Sequence, residues 1–156
     1  MCGFITVINS KEKKKFDFLF KRLKKINNHR GPDNIKYTKD KNFIIFRRLS
    51  IIDTSRNSDQ PFENINKNVV MVYNGEIYNY LELKKKLKKL GHIFLTSSDT
   101  EVIMKCYEEW GIHFLKKIRG MFSIIIFDKS LCKIFFIRDH FGQKPLYYCK
   151  LGKNLL

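Results

Sequence analysis

Apolar residues follow two different spacings along the chain, and each spacing predicts a different kind of element. Runs that are rich in β-branched and aromatic side chains predict strands at residues 4–8, 43–46 with an extension through 47–53, 68–73, 121–127, 133–137 and 146–149. A polar turn at 128–130 joins two of these strands into a predicted hairpin. The dipeptide Asn74-Gly75 follows another strand and is typical of a hairpin turn, so a second hairpin is predicted there.

Three other stretches repeat apolar residues every three or four positions, which is the spacing of an amphipathic helix. They cover residues 11–28, residues 80–90 and a segment that begins at Ser98 or Asp99 and ends at Gly111. Either of the two residues at the start of the third helix has a side chain suited to an N-cap. Lysines occupy the polar positions of the first two helices.

The order of these elements is a strand, a helix, several strands, two helices and more strands. This order lacks the regular strand–helix alternation of a parallel sheet, so it predicts an α+β fold with helices packed on antiparallel sheets. A chain of 156 residues is long enough to bury one core, and we expect a single domain over 2–156.

The composition excludes several classes of protein. A hydrophobic content of 44% indicates a folded chain, and no apolar run approaches the roughly 20 residues of a membrane span. The beginning of the chain lacks the pattern of a signal peptide, so the cytoplasm is the expected location. The four cysteines show no metal-type spacing, which favours reduced thiols and no metal site; they are Cys2, Cys106, Cys132 and Cys149.

The formal net charge of +16 allows a nucleic acid or an acidic protein as a partner. The lysine runs at 11–15, 21–25 and 84–89 lie on the polar faces of predicted helices, without the aromatic residues of a single-strand binding groove. We therefore expect solvated surface lysines and no nucleic acid.

The first candidate for chemistry is Cys2, which becomes the N-terminal residue once Met1 is removed. A thiol and an α-amine on one residue form a nucleophile with its own base, because their pKa values are near about 8.5 and about 8. The alternative is that Cys2 is a small apolar residue at the start of a strand.

Further candidates lie where predicted strands end, and each has a structural alternative. Arg48 suits a carboxylate clamp but is also an ordinary surface residue. Asn74 and the Gly75 N–H suit an oxyanion but also suit a turn. Glu76 and Asp99 suit an ammonium group. The alternatives are that Glu76 is simply solvated and that Asp99 is no more than the N-cap of a helix.

Two histidines, His29 and His140, could act as acid or base, but both lie in turns rich in Gly and Pro where exposure is usual. Taken together, the other candidates describe a site for an α-amino acid. They comprise a carboxylate clamp, acids for the amine, oxyanion donors and a thiol nucleophile.

The chain resembles the N-terminal glutaminase domain of glutamine-hydrolysing asparagine synthetases, a class II glutamine amidotransferase with an N-terminal nucleophile. The segments that carry the resemblance, in chain order, are Met1-Cys2-Gly3, 29–33 (HRGPD), 48–53 (RLSIID), 60–61 (QP), 73–79 (YNGEIYN), 98–101 (SDTE), 120–122 (GMF) and 138–142 (RDHFG). They span almost the whole chain.

The resemblance implies a four-layer αββα sandwich of two antiparallel sheets between helices, acting on L-glutamine. It implies that Cys2 is the nucleophile and that Asn74 and the Gly75 N–H hold the oxyanion. It also implies that Arg48 binds the glutamine α-carboxylate, while Asp99 and Glu76 receive the α-amine. The pocket would be lined, partly by main chain, by Leu49, Ser50, Ile51 and Ile52.

Full enzymes of this family continue into a synthetase domain that uses ATP and Mg²⁺, and its Ser-Gly-Gly-x-Asp-Ser loop is absent from this chain. The glutaminase domain itself normally runs some tens of residues further. We therefore expect a domain truncated at its C-terminus, needing no cofactor of its own. Its expected partner is a synthetase domain in cis, and a homodimer is a further expectation.

Two alternatives to asparagine formation stay open. The same glutaminase domain could serve a related transferase that amidates a sugar or an antibiotic precursor. From another class, the chain could be a catalytically silent basic binding module.

Overall fold

The computed structural model of the protein describes residues 2–8, 21–22, 25, 29–39, 42–50, 52–151 and 154–155. The strands in these ranges are β1 (Gly3–Val7), β2 (Asn34–Lys39), β3 (Phe43–Arg48), β4 (Phe62–Glu63), β5 (Val69–Ile77), β6 (Gly120–Asp128), β7 (Lys133–Arg138), β8 (Lys150–Leu151) and β9 (Asn154–Leu155). The helices are α1 (Tyr80–Lys89) and α2 (Asp99–Trp110), and short 3-10 helices cover Arg56–Ser58 and Gly111–Lys116.

The strands form two main antiparallel sheets and a small pair. The first sheet has the order β1-β3-β2, and the second has the order β4-β5-β6-β7. β8 pairs with β9. Among the described residues, each pairing in the two main sheets is antiparallel, as the predicted fold class requires.

Alternate residues of the central strands fill two separate apolar layers. One layer lies between the sheets and consists of Ile44, Phe46, Val70, Val72, Ile125 and Phe127. The other face of the second sheet packs against α1 and α2, with Met71 and Ile124 fully buried there. Each fully buried side chain of this size contributes about 1.5–3 kcal/mol to folding. Cys2 packs at the edge of the layer between the sheets.

The two later helices confirm the predictions from apolar spacing. α1 begins at Tyr80, and α2 begins directly after Ser98, whose hydroxyl accepts a hydrogen bond from the Glu101 N–H at 3.3 Å. Ser98 is thus the N-cap, which leaves the neighbouring Asp99 carboxylate for other contacts. Most of the predicted helix 11–28 lies outside the described residues, although its residues 21, 22 and 25 are helical. None of the described helices has the length and apolar character needed to cross a membrane.

The predicted hairpin at Asn74-Gly75 is wrong. Both residues lie inside β5, where Asn74 pairs with Ser123 and Gly75 pairs with Phe122. Here the glycine permits close strand pairing, because a Cβ at position 75 would lie 2.1 Å from the Met121 carbonyl oxygen.

Three further differences concern strands. β3 ends at Arg48, so the described residues of the predicted extension beyond it are not a strand. The chain over 146–149 is not a strand, and pairing begins only at Lys150. β2 was not predicted, because its few apolar residues alternate with polar ones and give only a weak apolar run.

A Gly75→Ala substitution is expected to lower the free energy of unfolding by about 3 kcal/mol, because the added methyl group would collide with the main chain of β6. Urea denaturation measures this change. Gly91→Ala is the matched control, since a Cβ there meets nothing within 4 Å and only the positive φ of +94° opposes it. That control should lose about 1 kcal/mol. Equal losses in the two variants would contradict the steric explanation.

Candidate active site

A cavity of about 120 Å³ opens where β1, β3 and β5 approach the N-terminal end of α2. Most of the predicted site residues line it, namely Cys2, Arg48, Leu49, Ile52, Asn74, Gly75, Glu76 and Asp99. These residues are far apart in sequence, and the pairing of the strands brings them together.

The Cys2 thiol is held against the end of β3. The Leu49 N–H donates to Sγ at 3.3 Å, and Sγ lies 3.6 Å from the Leu49 carbonyl oxygen. Burial raises the pKa of the Cys2 thiol, although the Leu49 hydrogen bond and the charge of Arg48 act in the opposite direction. The thiol therefore requires a base before it can act as a nucleophile at neutral pH.

The HRGPD segment fixes the main chain around this thiol. The Asp33 carboxylate accepts from the Ser50 N–H at 2.7 Å, and the Asp33 N–H donates to the Arg48 carbonyl at 3.1 Å. Arg30 donates from Nε to the Cys2 carbonyl at 3.4 Å. Gly31 lies so close to β3 that a Cβ would be 2.5 Å from the Arg47 main chain. This segment therefore supports the site without lining the cavity.

Asn74 and Gly75 present hydrogen-bond donors at the cavity. The Asn74 side chain is buried and lies on the cavity wall. The Tyr73 N–H points away from β6 and donates to the Gln60 side chain at 2.6 Å. Because alternate N–H groups of a strand share an edge, the Gly75 N–H also points away from β6.

Asp99 is the first residue of α2 and is buried, with 6% of its surface exposed. Its Oδ2 accepts from the Tyr73 hydroxyl at 2.7 Å and from the Ile77 N–H at 3.2 Å. Burial raises the pKa of the Asp99 carboxyl, and these hydrogen bonds oppose that rise. A buried carboxylate at this place is suited to a cation that enters the cavity.

The Arg48 guanidinium is buried and is surrounded by acceptors of the loop 53–59. Nη1 donates to the Ser55 carbonyl at 2.6 Å and to Asp59 Oδ1 at 2.7 Å. Nη2 donates to the Asp53 carbonyl and to the Ser58 hydroxyl. Arg48 thus fixes this loop beside the cavity, a contact that the sequence did not reveal.

The other predicted residues differ in their placement. Glu76 is exposed on the cavity wall, where an ammonium group has access to it. Ser50 lies outside the wall and is bonded to Asp33 through its N–H. Ile51 falls outside the described residues. His29 and His140 are exposed and do not line this cavity, which agrees with their expected place in turns.

Gln60, Tyr73 and Lys144 are among the wall residues that sequence analysis did not assign to the site. Two of them lie inside segments that carried the family resemblance, Gln60 in QP and Tyr73 directly before Asn74. Lys144 follows the RDHFG segment and is buried, and its N–H donates to Asp139 at 2.9 Å. The apolar and polar patterns gave no indication that these side chains meet at one cavity.

The arrangement of the two sheets defines the class of protein. It is the α+β sandwich of N-terminal-nucleophile hydrolases, as in the glutamine phosphoribosylpyrophosphate amidotransferase of B. subtilis complexed with ADP and GMP. That structure matches with a TM-score of 0.64 and 26% identity, over 76% of this chain and 27% of its own. A second structure, of an allosteric regulatory enzyme of purine biosynthesis, matches with a TM-score of 0.65 and 25% identity, over 76% of this chain and 28% of its own.

A family model described as "Glutamine amidotransferase domain" matches residues 1–156, and the chain belongs to this family. Asparagine synthetase [glutamine-hydrolyzing] 2 of Bacillus subtilis is 46% identical over 100% of the chain and 21% of its own length. Asparagine synthetase [glutamine-hydrolyzing] 1 of Arabidopsis thaliana is 37% identical over 94% of the chain and 25% of its own. The predicted family and fold class are confirmed, and the chain spans only a fifth to a quarter of these relatives.

Proposed function

We propose that the chain hydrolyses L-glutamine to glutamate and ammonia, with Cys2 as the nucleophile. The observation that carries this proposal is the convergence of one thiol, one pair of oxyanion donors and one buried carboxylate on a single cavity. Membership of the glutamine amidotransferase domain family supports the choice of substrate.

The proposed reaction begins with the removal of Met1, which frees the α-amine of Cys2. This amine, with a pKa near about 8, takes the proton of the thiol, whose own pKa is raised by burial. The thiolate then attacks the side-chain amide carbon of glutamine and forms a tetrahedral adduct. The Asn74 amide and the Gly75 N–H donate to the oxyanion of this adduct.

The adduct collapses by breaking its C–N bond, and the leaving nitrogen takes the proton held by the α-amine and departs as ammonia. A γ-glutamyl thioester remains on Cys2. A water molecule, deprotonated by the same amine, attacks the thioester, and the C–S bond breaks to give glutamate and the free thiol. One proton carrier thus serves both halves of the reaction.

The polar ends of the cavity would bind the amino-acid part of glutamine. Asp99 is already ordered by two hydrogen bonds and, together with Glu76, would receive the α-ammonium group. Arg48 would offer its charge to the α-carboxylate while the loop 53–59 holds the guanidinium in place. Leu49 and Ile52 would contact the aliphatic part of the substrate.

For the parent enzyme we propose that the released ammonia serves ATP-dependent formation of asparagine from aspartate. The names of the curated relatives support this acceptor. The ATP and Mg²⁺ belong to the synthetase domain in cis and not to residues 2–156. A cytoplasmic location, a homodimer and the absence of a nucleic-acid partner stay predictions. Amidation of another acceptor is the second candidate within the same family.

The direct test is a glutaminase assay on protein whose intact mass shows that Met1 has been removed. Glutamate release, coupled to glutamate dehydrogenase, should follow saturation kinetics in glutamine. A preparation that retains Met1 is the matched control and should be inactive, because its amine is acylated and displaced from the thiol. A folded, processed protein that releases no glutamate would support the silent binding module instead.

A further inference from the structure

Tyr73 occupies the place where the amine-binding carboxylate and the oxyanion donors meet. It is buried, with 3% of its surface exposed, and it directly precedes Asn74 in β5. We propose that Tyr73 is a positioning residue that holds Asp99 ionised and oriented for the substrate amine. This inference rests on the proposed glutaminase function and adds a residue to which the predicted mechanism gave no role.

The main chain of Tyr73 is fixed by a side chain that takes the place of a neighbouring strand. β4 pairs with β5 in a register that would set residue 60 opposite Tyr73. At that position the Gln60 side-chain amide makes both of the main-chain hydrogen bonds that a neighbouring strand would make with Tyr73. It accepts from the Tyr73 N–H at 2.6 Å and donates to the Tyr73 carbonyl at 3.0 Å. The same amide lies 3.4 Å from the Thr100 hydroxyl of α2.

The ring of Tyr73 lies against the segment that carries the oxyanion donors. A Cβ at position 75 would be only 2.9 Å from the ring atom Cε2, so the glycine leaves the space that the ring needs. Because the main chain and the ring of Tyr73 are both held in place, the position of its hydroxyl group is fixed. It donates to Asp99 Oδ2 at 2.7 Å.

This hydrogen bond matters because Asp99 is buried among groups of both signs. Arg48, Cys2, Glu76 and Lys144 line the same cavity, and the Ile77 N–H is a second donor to the carboxylate. Burial raises the pKa of Asp99, and the Tyr73 hydroxyl is the leading influence that lowers it. Removal of that hydroxyl therefore raises the pKa, and the carboxylate becomes ionised only at higher pH.

The test is Tyr73→Phe, assayed with glutamine across a range of pH. The KM for glutamine should rise about tenfold, as expected for a lost hydrogen bond to a charged group, while kcat stays within about twofold. The acidic limb of the kcat/KM profile should move to higher pH. Because KM does not depend on the fraction of folded enzyme, partial unfolding of the variant cannot imitate this result.

A substrate analogue separates positioning from general damage. 5-Amino-5-oxopentanoate has the amide of glutamine but lacks the α-amine, so it cannot use Asp99. Its kcat/KM should be the same in the wild-type chain and in Tyr73→Phe. An equal loss for both substrates would overturn the proposed role of Tyr73.

Tyr107→Phe is the matched control, because Tyr107 is also buried and donates to an aspartate, Asp128 Oδ2, at 2.7 Å. Neither residue lines the candidate active site. This variant should lose comparable stability, with no change in KM or in the pH profile. If the two variants have the same kinetics and the wild type is active, the role of Tyr73 is wrong while the glutaminase function stands. A wild-type chain without glutaminase activity overturns both.

Discussion

Cys2→Ala is expected to reduce glutamate release by roughly 1,000-fold or more, because among the described residues of the cavity wall only Cys2 carries a thiol that can form the thioester. Alanine removes only the sulfur atom from a side chain at the edge of the layer between the sheets, so the fold should persist. The measurement is the glutaminase rate of the processed variant, with circular dichroism and thermal unfolding as checks on folding.

The exposed thiols provide the matched controls for this experiment. Cys132→Ala and Cys149→Ala each remove a sulfur atom from an exposed side chain that does not line the cavity. Both variants should retain the wild-type rate within about twofold, as surface substitutions normally do. A Cys2→Ala protein with substantial turnover, or a loss in one of the controls, would assign the nucleophile to a different residue.

Asn74→Ala is expected to lower kcat by about 100- to 1,000-fold with little change in the KM for glutamine. The reason is that the Asn74 side-chain amide donates to the oxyanion, which exists only once the tetrahedral adduct begins to form. Steady-state kinetics at saturating glutamine measures this effect. The Gly75 N–H would remain as the second donor, so activity should stay above that of Cys2→Ala.

Asn64→Ala is the control for the loss of a buried asparagine next to the same sheet. Its side chain accepts from the Val69 N–H at 3.0 Å and donates to Glu108 at 3.0 Å, remote from the cavity. This variant should lose about 2 kcal/mol of stability and retain its kcat. If both substitutions lowered kcat equally, the loss would reflect damage to the sheet and not the absence of an oxyanion donor.

Much of the fold could be predicted because local patterns and tertiary structure agree. The apolar spacing of α1 and α2 matches the faces that they bury, and Ser98, one of the two predicted candidates for the N-cap, caps α2. The hairpin β6–β7 follows from two apolar runs and a polar turn. In these places the local conformational preference of the sequence agrees with the tertiary packing.

At Asn74-Gly75, where a hairpin was predicted, the local preference and the tertiary structure disagree. The dipeptide has a strong local preference for a turn, but β6 offers a partner for every residue of β5 up to Ile77. The tertiary pairing overrides the local preference. What the glycine supplies is space for the β6 main chain and for the Tyr73 ring, and neither neighbour is visible in a short stretch of sequence.

The residue types of the candidate site could be predicted from the sequence, but the contacts that hold these residues in place could not. Arg48 was identified as a cation beside a pocket, whereas its bonds to the loop 53–59 depend on how that loop folds back. The Gln60 side chain that replaces a strand is similarly a tertiary contact. Family resemblance marked the surrounding segments, but only the fold shows which side chains line the cavity and which hold the others in place.

The most direct test of the central claim is to trap the thioester. Processed protein that is mixed with glutamine and quenched in acid within the first turnovers should gain the mass of one γ-glutamyl group. Digestion should place that group on the peptide that begins at Cys2, and treatment with hydroxylamine should release it. A γ-glutamyl group on any other residue, or steady turnover with no adduct under conditions that preserve thioesters, would contradict Cys2 as the nucleophile.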